Sequence, residues 1–257
     1  MIQSWEEDIR KALGPAAEQM GVLVLQETDS TNLRLKVLAR EGRIAAPCLL
    51  AADCQTAGRG RLGRRFVSPS GTGLYMSLLL SPPPDTESGR VTILAAVAVC
   101  RAIEEMTGLK PRIKWVNDLF ANGKKVCGIL AERIDQGVII GIGVNLKTPP
   151  GGFPPEAGPA GALNVEIDRW TLAGRIARRL LAGMRQPEDP AVLDAYRARM
   201  PLTGRIIRYT APNGREKSAR VTGVAEDGGL MVEDENGLSV LRSGEVSLGS
   251  DAFDGLL

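Results

Sequence analysis

Gly58-Arg59-Gly60-Arg61-Leu62-Gly63-Arg64 is the stretch on which the reading of this chain turns. Three glycines alternate with three arginines, and Arg65 follows, so that four arginines and no acid fall between positions 59 and 65. Glycine lets a backbone come close to a ligand and expose its N–H groups. Arginine supplies forked donors that match carboxylate and phosphate oxygens. Together they make a loop able to fold around an anion. A flexible basic loop and a nucleic-acid patch are the plainer readings. Against them stand the apolar runs at 48–53 and 75–80, which read as strands and would hold both ends of the loop at 55–70. Ordering a residue costs about 1–2 kcal/mol, and a charged hydrogen bond returns about 1.5–3 kcal/mol. The loop is therefore expected to close as a lid when an anionic ligand engages several arginines, and not to stay ordered by itself.

Outward from the loop, the N-terminal side carries a capping box, Ser4 with Glu7, that opens a short helix ending at Leu13 before Gly14-Pro15. Residues 21–26 read as a strand. Ser30 or Thr31 caps a helix with Leu33, Val37 and Leu38 on one face, ending near Gly42. On the other side, Pro82-Pro83-Pro84 breaks the chain, and 88–106 is a long, mostly apolar helix. Strands are expected at 112–115, 126–133 and 138–146, the last two joined as a hairpin through Asp135-Gln136-Gly137. A Pro- and Gly-dense loop at 148–161 precedes amphipathic helices at about 169–185 and 189–199. Beyond Pro201, turn signals at Asn213-Gly214, Asp227-Gly228-Gly229 and Asn236-Gly237 mark a small antiparallel barrel. The domains are set at 1–200 and 201–257.

The 257 residues bear a formal charge of +2 and a pI near 8.4, too little excess for a dedicated nucleic-acid binder. There is no histidine, which excludes a histidine triad, metal site or general base. The four cysteines form no C-x-x-C pair, and apolar neighbours make buried thiols the default reading. No apolar leader opens the chain and no stretch approaches a membrane span. A cytoplasmic protein with no membrane association is expected.

Three further constellations carry chemistry. Glu27-Thr28-Asp29-Ser30-Thr31-Asn32 puts hydroxyls and free N–H groups at a helix start, which suits a polar small molecule, though a plain N-cap looks the same. Lys114-Trp115-Val116-Asn117-Asp118, with Lys124-Lys125-Val126-Cys127-Gly128 behind it, sets cations beside a carboxylate, as a phosphate site and an oriented nucleophile require. Asn-Asp is also an ordinary turn pair. Gly141-Ile142-Gly143-Val144-Asn145-Leu146 carries two glycines facing alternately along a strand, marking close approach of another group. It is not a dinucleotide fingerprint, since the third glycine is missing.

In this combination and order the segments, from about residue 24 to 249, resemble the biotin protein ligases (the biotin–[acetyl-CoA-carboxylase] ligase family). The resemblance implies an α+β catalytic domain with a mixed, largely antiparallel sheet and flanking helices, like that of class II aminoacyl-tRNA synthetases, and a C-terminal SH3-like β-barrel. It implies an ATP-dependent ligase, using Mg2+, that converts biotin to biotinyl-5'-AMP and transfers it to a lysine of a biotin carboxyl carrier protein. Ser30, Thr31, Asn32 and Gln55 would then line the biotin pocket. Arg59, Gly60 and Arg61 would close over biotin and adenylate. Lys125 would face the biotin carboxylate, and Gly128 would let its strand pass close to the ligand. Arg61, Arg64, Lys114, Asn117 and Asn145 would lie on the ATP side, with no protein metal ligand assigned. Lys125, Arg59 and Asp118 are the catalytic set, Asp118 orienting the acceptor lysine or accepting its proton.

Val116 stands where the family usually has proline, and Phe66 where tryptophan is common. About 20 residues precede the first strand, too few for the winged-helix DNA-binding domain of bifunctional members, so a monofunctional ligase that binds no DNA is expected. A homodimer is compatible with the family, and no motif decides it. Alternatives are a lipoate or octanoyl ligase, against which the Gly-Arg loop argues, a DNA-binding regulator, and a non-catalytic biotin-binding regulator. Trypsin cleavage after Arg61 and Arg64 is expected to slow when an anionic ligand is bound; equal rates with and without it would rule out the lid.

Overall fold

The computed structural model describes residues 2–83, 85–210, 214–242, 246 and 247. Pro84 of the proline breaker and Asn213 of the first barrel turn lie outside them. Seven strands, β1 (Gly21–Thr28), β2 (Cys48–Gln55), β3 (Gly73–Leu80), β4 (Arg112–Lys114), β5 (Asp118–Ala121), β6 (Lys124–Ile134) and β7 (Gly137–Asn145), form one sheet in the order β1-β2-β3-β7-β6-β5-β4. β1 and β2 are parallel and every other neighbouring pair is antiparallel. This is the mixed, largely antiparallel sheet expected.

The helices are α1 (Ile2–Leu13), α2 (Thr31–Arg40), α3 (Ser88–Thr107), α4 (Arg169–Gly183) and α5 (Pro190–Arg197). β3 is buried at all eight positions, so it reads as an apolar run, interrupted at Ser77, and not as an alternation. One face of the sheet shares a core with α1, α3, α4 and α5, including Leu94, Ile103, Leu172 and Ile176. On the other face α2 lays Leu35 and Leu38 over Leu50, Leu79 and Ile139. That cover ends near Thr31, and the sheet face continues beyond it.

Several local expectations are corrected. Helix α1 starts at Ile2, so Ser4 and Glu7 lie inside it and form no capping box at its end. Trp5 explains the extension, stacking on Trp170 of α4 with ring centroids 4.8 Å apart. The inward face of α2 is Thr31, Leu35, Leu38 and Ala39; Leu33 and Val37 are only half-buried. Strand β5 was not anticipated. Its hairpin to β6 turns at Asn122-Gly123, both at positive φ (51° and 73°), a legible signal of a two-residue turn. Gly141 and Gly143 are two residues apart and so share a face of β7 instead of alternating. The Trp115–Val116 peptide is cis, as is Ala46–Pro47.

After α5 come β8 (Ile206–Thr210), β9 (Glu216–Val224), β10 (Leu230–Asp234), β11 (Gly237–Leu241) and β12 (Val246–Ser247). They form an antiparallel sheet in the order β11-β10-β9-β8-β12. No pairing among the described residues joins β11 to β12, so what is seen is a five-stranded sheet and not the closed barrel expected. It docks through its backbone. Trp115 Nε1 donates to the Gly228 carbonyl (2.9 Å), Arg197 donates to the Val224 carbonyl, and a Cβ on Gly89 would overlap the Asp227 carbonyl. No helix among the described residues is long and apolar enough to cross a membrane.

One ion pair ties the end of the glycine–arginine loop to the helices. Arg169 meets Asp53 at 2.5 Å and lies over the Trp170 ring, 4.5 Å from its centroid. Asp53 also accepts from the Ser70 hydroxyl and from Gly71 N at 3.1 Å. Burial alone would raise the Asp53 carboxyl. The Ser70 hydroxyl, Arg169 and the Gly71 N–H outweigh it and hold the group below its ordinary 3.8. A folded value below the unfolded one means stability that is present above the unfolded value and lost as pH falls through the folded one. Asp53→Asn is expected to cost about 2–4 kcal/mol at pH 7. The gap to the unchanged protein should shrink below about pH 4, as read by chemical denaturation across pH.

Candidate functional site

The uncovered part of the sheet face floors a cavity of about 500 Å³. Its floor lacks side chains for a reason. A Cβ on Gly141 would overlap the Asn32 amide oxygen, and one on Gly143 would stand 2.5 Å from the Phe66 ring. Gly128, on the neighbouring strand, would bring a Cβ within 3.3 Å of the same ring. Two polar and aromatic side chains from elsewhere thus occupy the space that β6 and β7 leave open.

At one end stands the start of α2. Ser30, Thr31 and Asn32 are 2–4% exposed and all line the cavity. Gln55 Oε1 accepts from Thr31 N (2.9 Å) and lies 3.1 Å from Thr31 Oγ1, while Gln55 Nε2 donates to Ser68 Oγ (2.8 Å). Asn32 Nδ2 donates to Glu132 Oε2 (3.0 Å). Ser30 adopts the N-cap conformation, but its side chain makes no cap hydrogen bond. The hydroxyls and amides therefore serve the cavity's polar end more than the helix.

The glycine–arginine loop forms the roof. It folds back on itself through Gly60 N to Arg64 O (2.8 Å), Phe66 N to Gly58 O (2.9 Å) and Gln55 N to Ser68 O (3.0 Å). Its own backbone thus supplies order that the sequence had assigned to a ligand. Arg59, Gly60, Arg61 and Arg64 line the cavity, whereas Leu62 at the tip is 72% exposed and takes a left-handed conformation. Arg61 Nη1 donates to Asn117 Oδ1 (2.9 Å). Asn117 Nδ2 in turn donates to Asp118 Oδ1 (3.1 Å) and to the Ile129 carbonyl (2.9 Å). Asp118 Oδ1 meets Lys125 Nζ at 2.8 Å. A continuous polar path therefore joins the roof to the Asp118–Lys125 pair on β5 and β6.

Lys114 and Asn145 also line the cavity, so every residue assigned to the catalytic, biotin and ATP sets borders this one space, whereas Glu27, Asp29, Trp115 and Lys124 of the same motifs do not. Asn145 has a structural duty as well, since its buried amide donates to the Gly161 carbonyl (2.9 Å). The sequence missed the segment 153–160. Phe153, Glu156 and Pro159 line the cavity. The segment is pinned to β6 by Lys125 N to Pro159 O (2.8 Å) and Gly161 N to Lys125 O (2.9 Å). Phe153, an aromatic ring within a Pro-Gly stretch, was the available signal. The apolar Phe120 and Ile129 were also missed, because nothing but pairing register brings them here, and so was Glu132, which lies outside the cavity lining but accepts from Asn32.

The cysteines take no part. Burial pushes the Cys48 thiol up to about 11 and Cys100 to about 12, and raises Cys127 well above its usual range. Cys54, half-buried beside Glu27 and Asp53, is raised too. Such thiols are poor nucleophiles. Among the described residues no group of three or more Cys, Asp or Glu gathers as a metal site.

Comparison with known proteins places this geometry. Residues 24–145 match the Biotin/lipoate A/B protein ligase family, and residues 203–249 match the Biotin protein ligase C terminal domain. The Mycobacterium tuberculosis biotin--[acetyl-CoA-carboxylase] ligase is 32% identical over 231 residues, covering 86% of this chain and 85% of that protein. The chain belongs to the biotin protein ligase family. The bifunctional ligase/repressor BirA of Bacillus subtilis is 36% identical over 221 residues, 78% of this chain but 66% of that longer relative. Among solved structures, the biotin protein ligase of Aquifex aeolicus in complex with biotin and ATP superposes with a TM-score of 0.77 at 30% identity, covering 88% of this chain and 97% of that one.

For this biotin protein ligase family member, the Arg61–Asn117 contact is a latch between loop and sheet. Asn117→Ala is expected to speed trypsin cleavage after Arg61 and Arg64 several-fold, with little change in melting temperature. An unchanged rate would show that the loop is held elsewhere.

Proposed function

We propose that this chain is an ATP-dependent biotin–[biotin carboxyl carrier protein] ligase. The observation that carries the reading is a single cavity with a recessed uncharged polar end at α2, apolar walls from Phe66 and Ile142, and a cationic end at Arg59, Arg61 and Lys125. A ligand with a cyclic polar head, an apolar body and a carboxylate tail matches that order. The names of the relatives, and the biotin and ATP held by the Aquifex aeolicus protein, support it.

In the first step a biotin carboxylate oxygen attacks the α-phosphorus of ATP, forming a P–O bond as diphosphate leaves. The product is a mixed anhydride. The chain needs no histidine for this, only positioning and charge neutralisation. In this reading Lys125 holds the carboxylate and then the phosphate. Arg59 and Arg61 close over them, and Arg64, Lys114, Asn117 and Asn145 face the nucleotide. In the second step the neutral amine of an acceptor lysine attacks the acyl carbon, the C–O bond to phosphate breaks, and AMP leaves. Asp118 orients that amine and accepts its proton. Mg2+ would come with ATP, held mainly by the substrate phosphates, and would neutralise charge there; no protein ligand is assigned to it. We further assign residues 1–200 to the catalytic unit and 201–257 to a C-terminal unit of SH3-like form, and the cytoplasm as the compartment.

The test is to incubate the protein with ATP, magnesium, radiolabelled biotin and a biotin carboxyl carrier domain. Label on the carrier lysine is expected, and none would defeat the reading. Lipoate-dependent ATP–diphosphate exchange without biotin-dependent exchange would turn the assignment to a lipoate ligase. Lys125→Ala should lower biotin-dependent exchange by at least about a hundredfold, whereas Arg59→Ala should chiefly speed adenylate loss, read by single-turnover chase.

A further inference from the structure

Strand β11 ends the C-terminal sheet with apolar side chains in water. Leu238 is 69% exposed and Val240 36%. Among the described residues β11 pairs only with β10, so its other edge is open. Proteins blunt such edges with lysine, proline, bulges or inward-pointing charges. Gly237-Leu238-Ser239-Val240-Leu241 has no charge and no proline, and its pairing with β10 runs without a register shift. At β4, by contrast, the edge of the larger sheet is partly covered, since Ile113 N donates to the Arg199 carbonyl (2.9 Å).

The register tells which backbone groups that edge offers. Asp234 and Gly237 pair across the turn Glu235-Asn236. A pair closing so short a turn exchanges its own hydrogen bonds, and the bonding direction then alternates along the strand. Gly237, Ser239 and Leu241 therefore bond toward β10, while the N–H and C=O groups of Leu238 and Val240 point outward. The side chains of Leu238 and Val240 stand opposite Glu233 and Met231, on the face away from buried Leu230 and Val232. One short segment thus presents unpaired backbone groups and uncovered apolar side chains together.

We propose that β11 is a contact between two copies of this chain, which pair antiparallel about a two-fold axis at Ser239 and join their C-terminal sheets into one. The strand is complementary to itself in that register. Leu238 meets the partner's Val240, Val240 meets the partner's Leu238, and each pair exchanges both outward hydrogen bonds. The same pairing gathers Leu238, Val240 and half-buried Met231 of both copies on one face and takes their apolar surface out of water. Arg242, 72% exposed although it meets Asp227 at 2.8 Å, falls beside the partner's Glu235. Glu235 is exposed and makes no ion pair among the described residues. Parallel pairing would set Arg242 against Arg242, so charge selects the antiparallel arrangement. The contact lies between the small sheets and leaves the catalytic sheet and its cavity untouched.

A contact of one short strand pair buries less than the roughly 1,200 Å² of ordinary specific interfaces, so the dimer is expected to be a weak one. Sedimentation equilibrium over about 1 to 200 μM reads it. The apparent mass of the natural chain should climb from the 27.4 kDa of one copy toward twice that. Leu238→Lys should raise the dissociation constant at least about tenfold and leave biotin-dependent exchange unchanged. Val240→Pro removes an outward N–H and no bond to β10, and should weaken the dimer likewise. Ser239→Cys should oxidise to a linked dimer, because residues facing each other at such an axis have Cα atoms about 4.5 Å apart. Ser218→Cys, exposed on β9, should link at least about tenfold more slowly. A mass that stays at one copy throughout, or a dimer that Leu238→Lys leaves intact, overturns the proposal. Equal linking by the two cysteine variants does so too. A chain that stays single yet loses affinity for a carrier domain on Leu238→Lys also overturns it, and assigns the edge to the carrier.

Discussion

The cavity exists because strand β7 carries no side chain at two successive positions on one face. Elsewhere on that face Leu50, Leu79 and Ile139 meet α2 as ordinary core. At Gly141 the vacated volume holds the Asn32 amide, and at Gly143 it holds the Phe66 ring. Even one methyl at either site would evict a recognition group, and close-packed interiors do not absorb such a change. The sheet is thus a rigid floor whose missing side chains shape the pocket, while α2 and the glycine–arginine loop supply its polarity.

The charge is divided between parts of different rigidity. Lys125 and Asp118 stand on paired strands and face each other at 2.8 Å. The arginines ride on a loop whose far end is clamped by the Asp53–Arg169 pair and whose middle reaches the strands through Asn117. Acyl-adenylate chemistry needs cations that gather around a phosphate and then release a product. A lysine on paired strands and arginines on a separate loop suit those two needs without any histidine.

Much of this was legible in the sequence. The apolar runs marked β1, β2, β3, β6, β7 and α3, and in β3, buried along its whole length, there is no polar alternation to confuse the reading. Gly-Arg alternation marked the loop, since it pairs a backbone free to approach a ligand with side chains that match an anion. The residues expected at the site all border one cavity. Less legible were the short strand β5, whose Asn122-Gly123 turn was the overlooked sign, and the ends of α1 and α2, where packing of Trp5 and Leu35 outweighed local capping signals.

What the sequence by itself determined was chemistry: which groups could act, which could not, and where the chain had to turn. These follow from residue type and local conformational preference. Only the tertiary structure decided that Gly141 and Gly143 share a face, that Asn117 bridges roof and floor, that 153–160 closes the site, and that the second sheet docks by its carbonyls. Each depends on strand register and on contacts between segments far apart in the chain, and a one-residue shift of register would turn every one of those side chains to the opposite face.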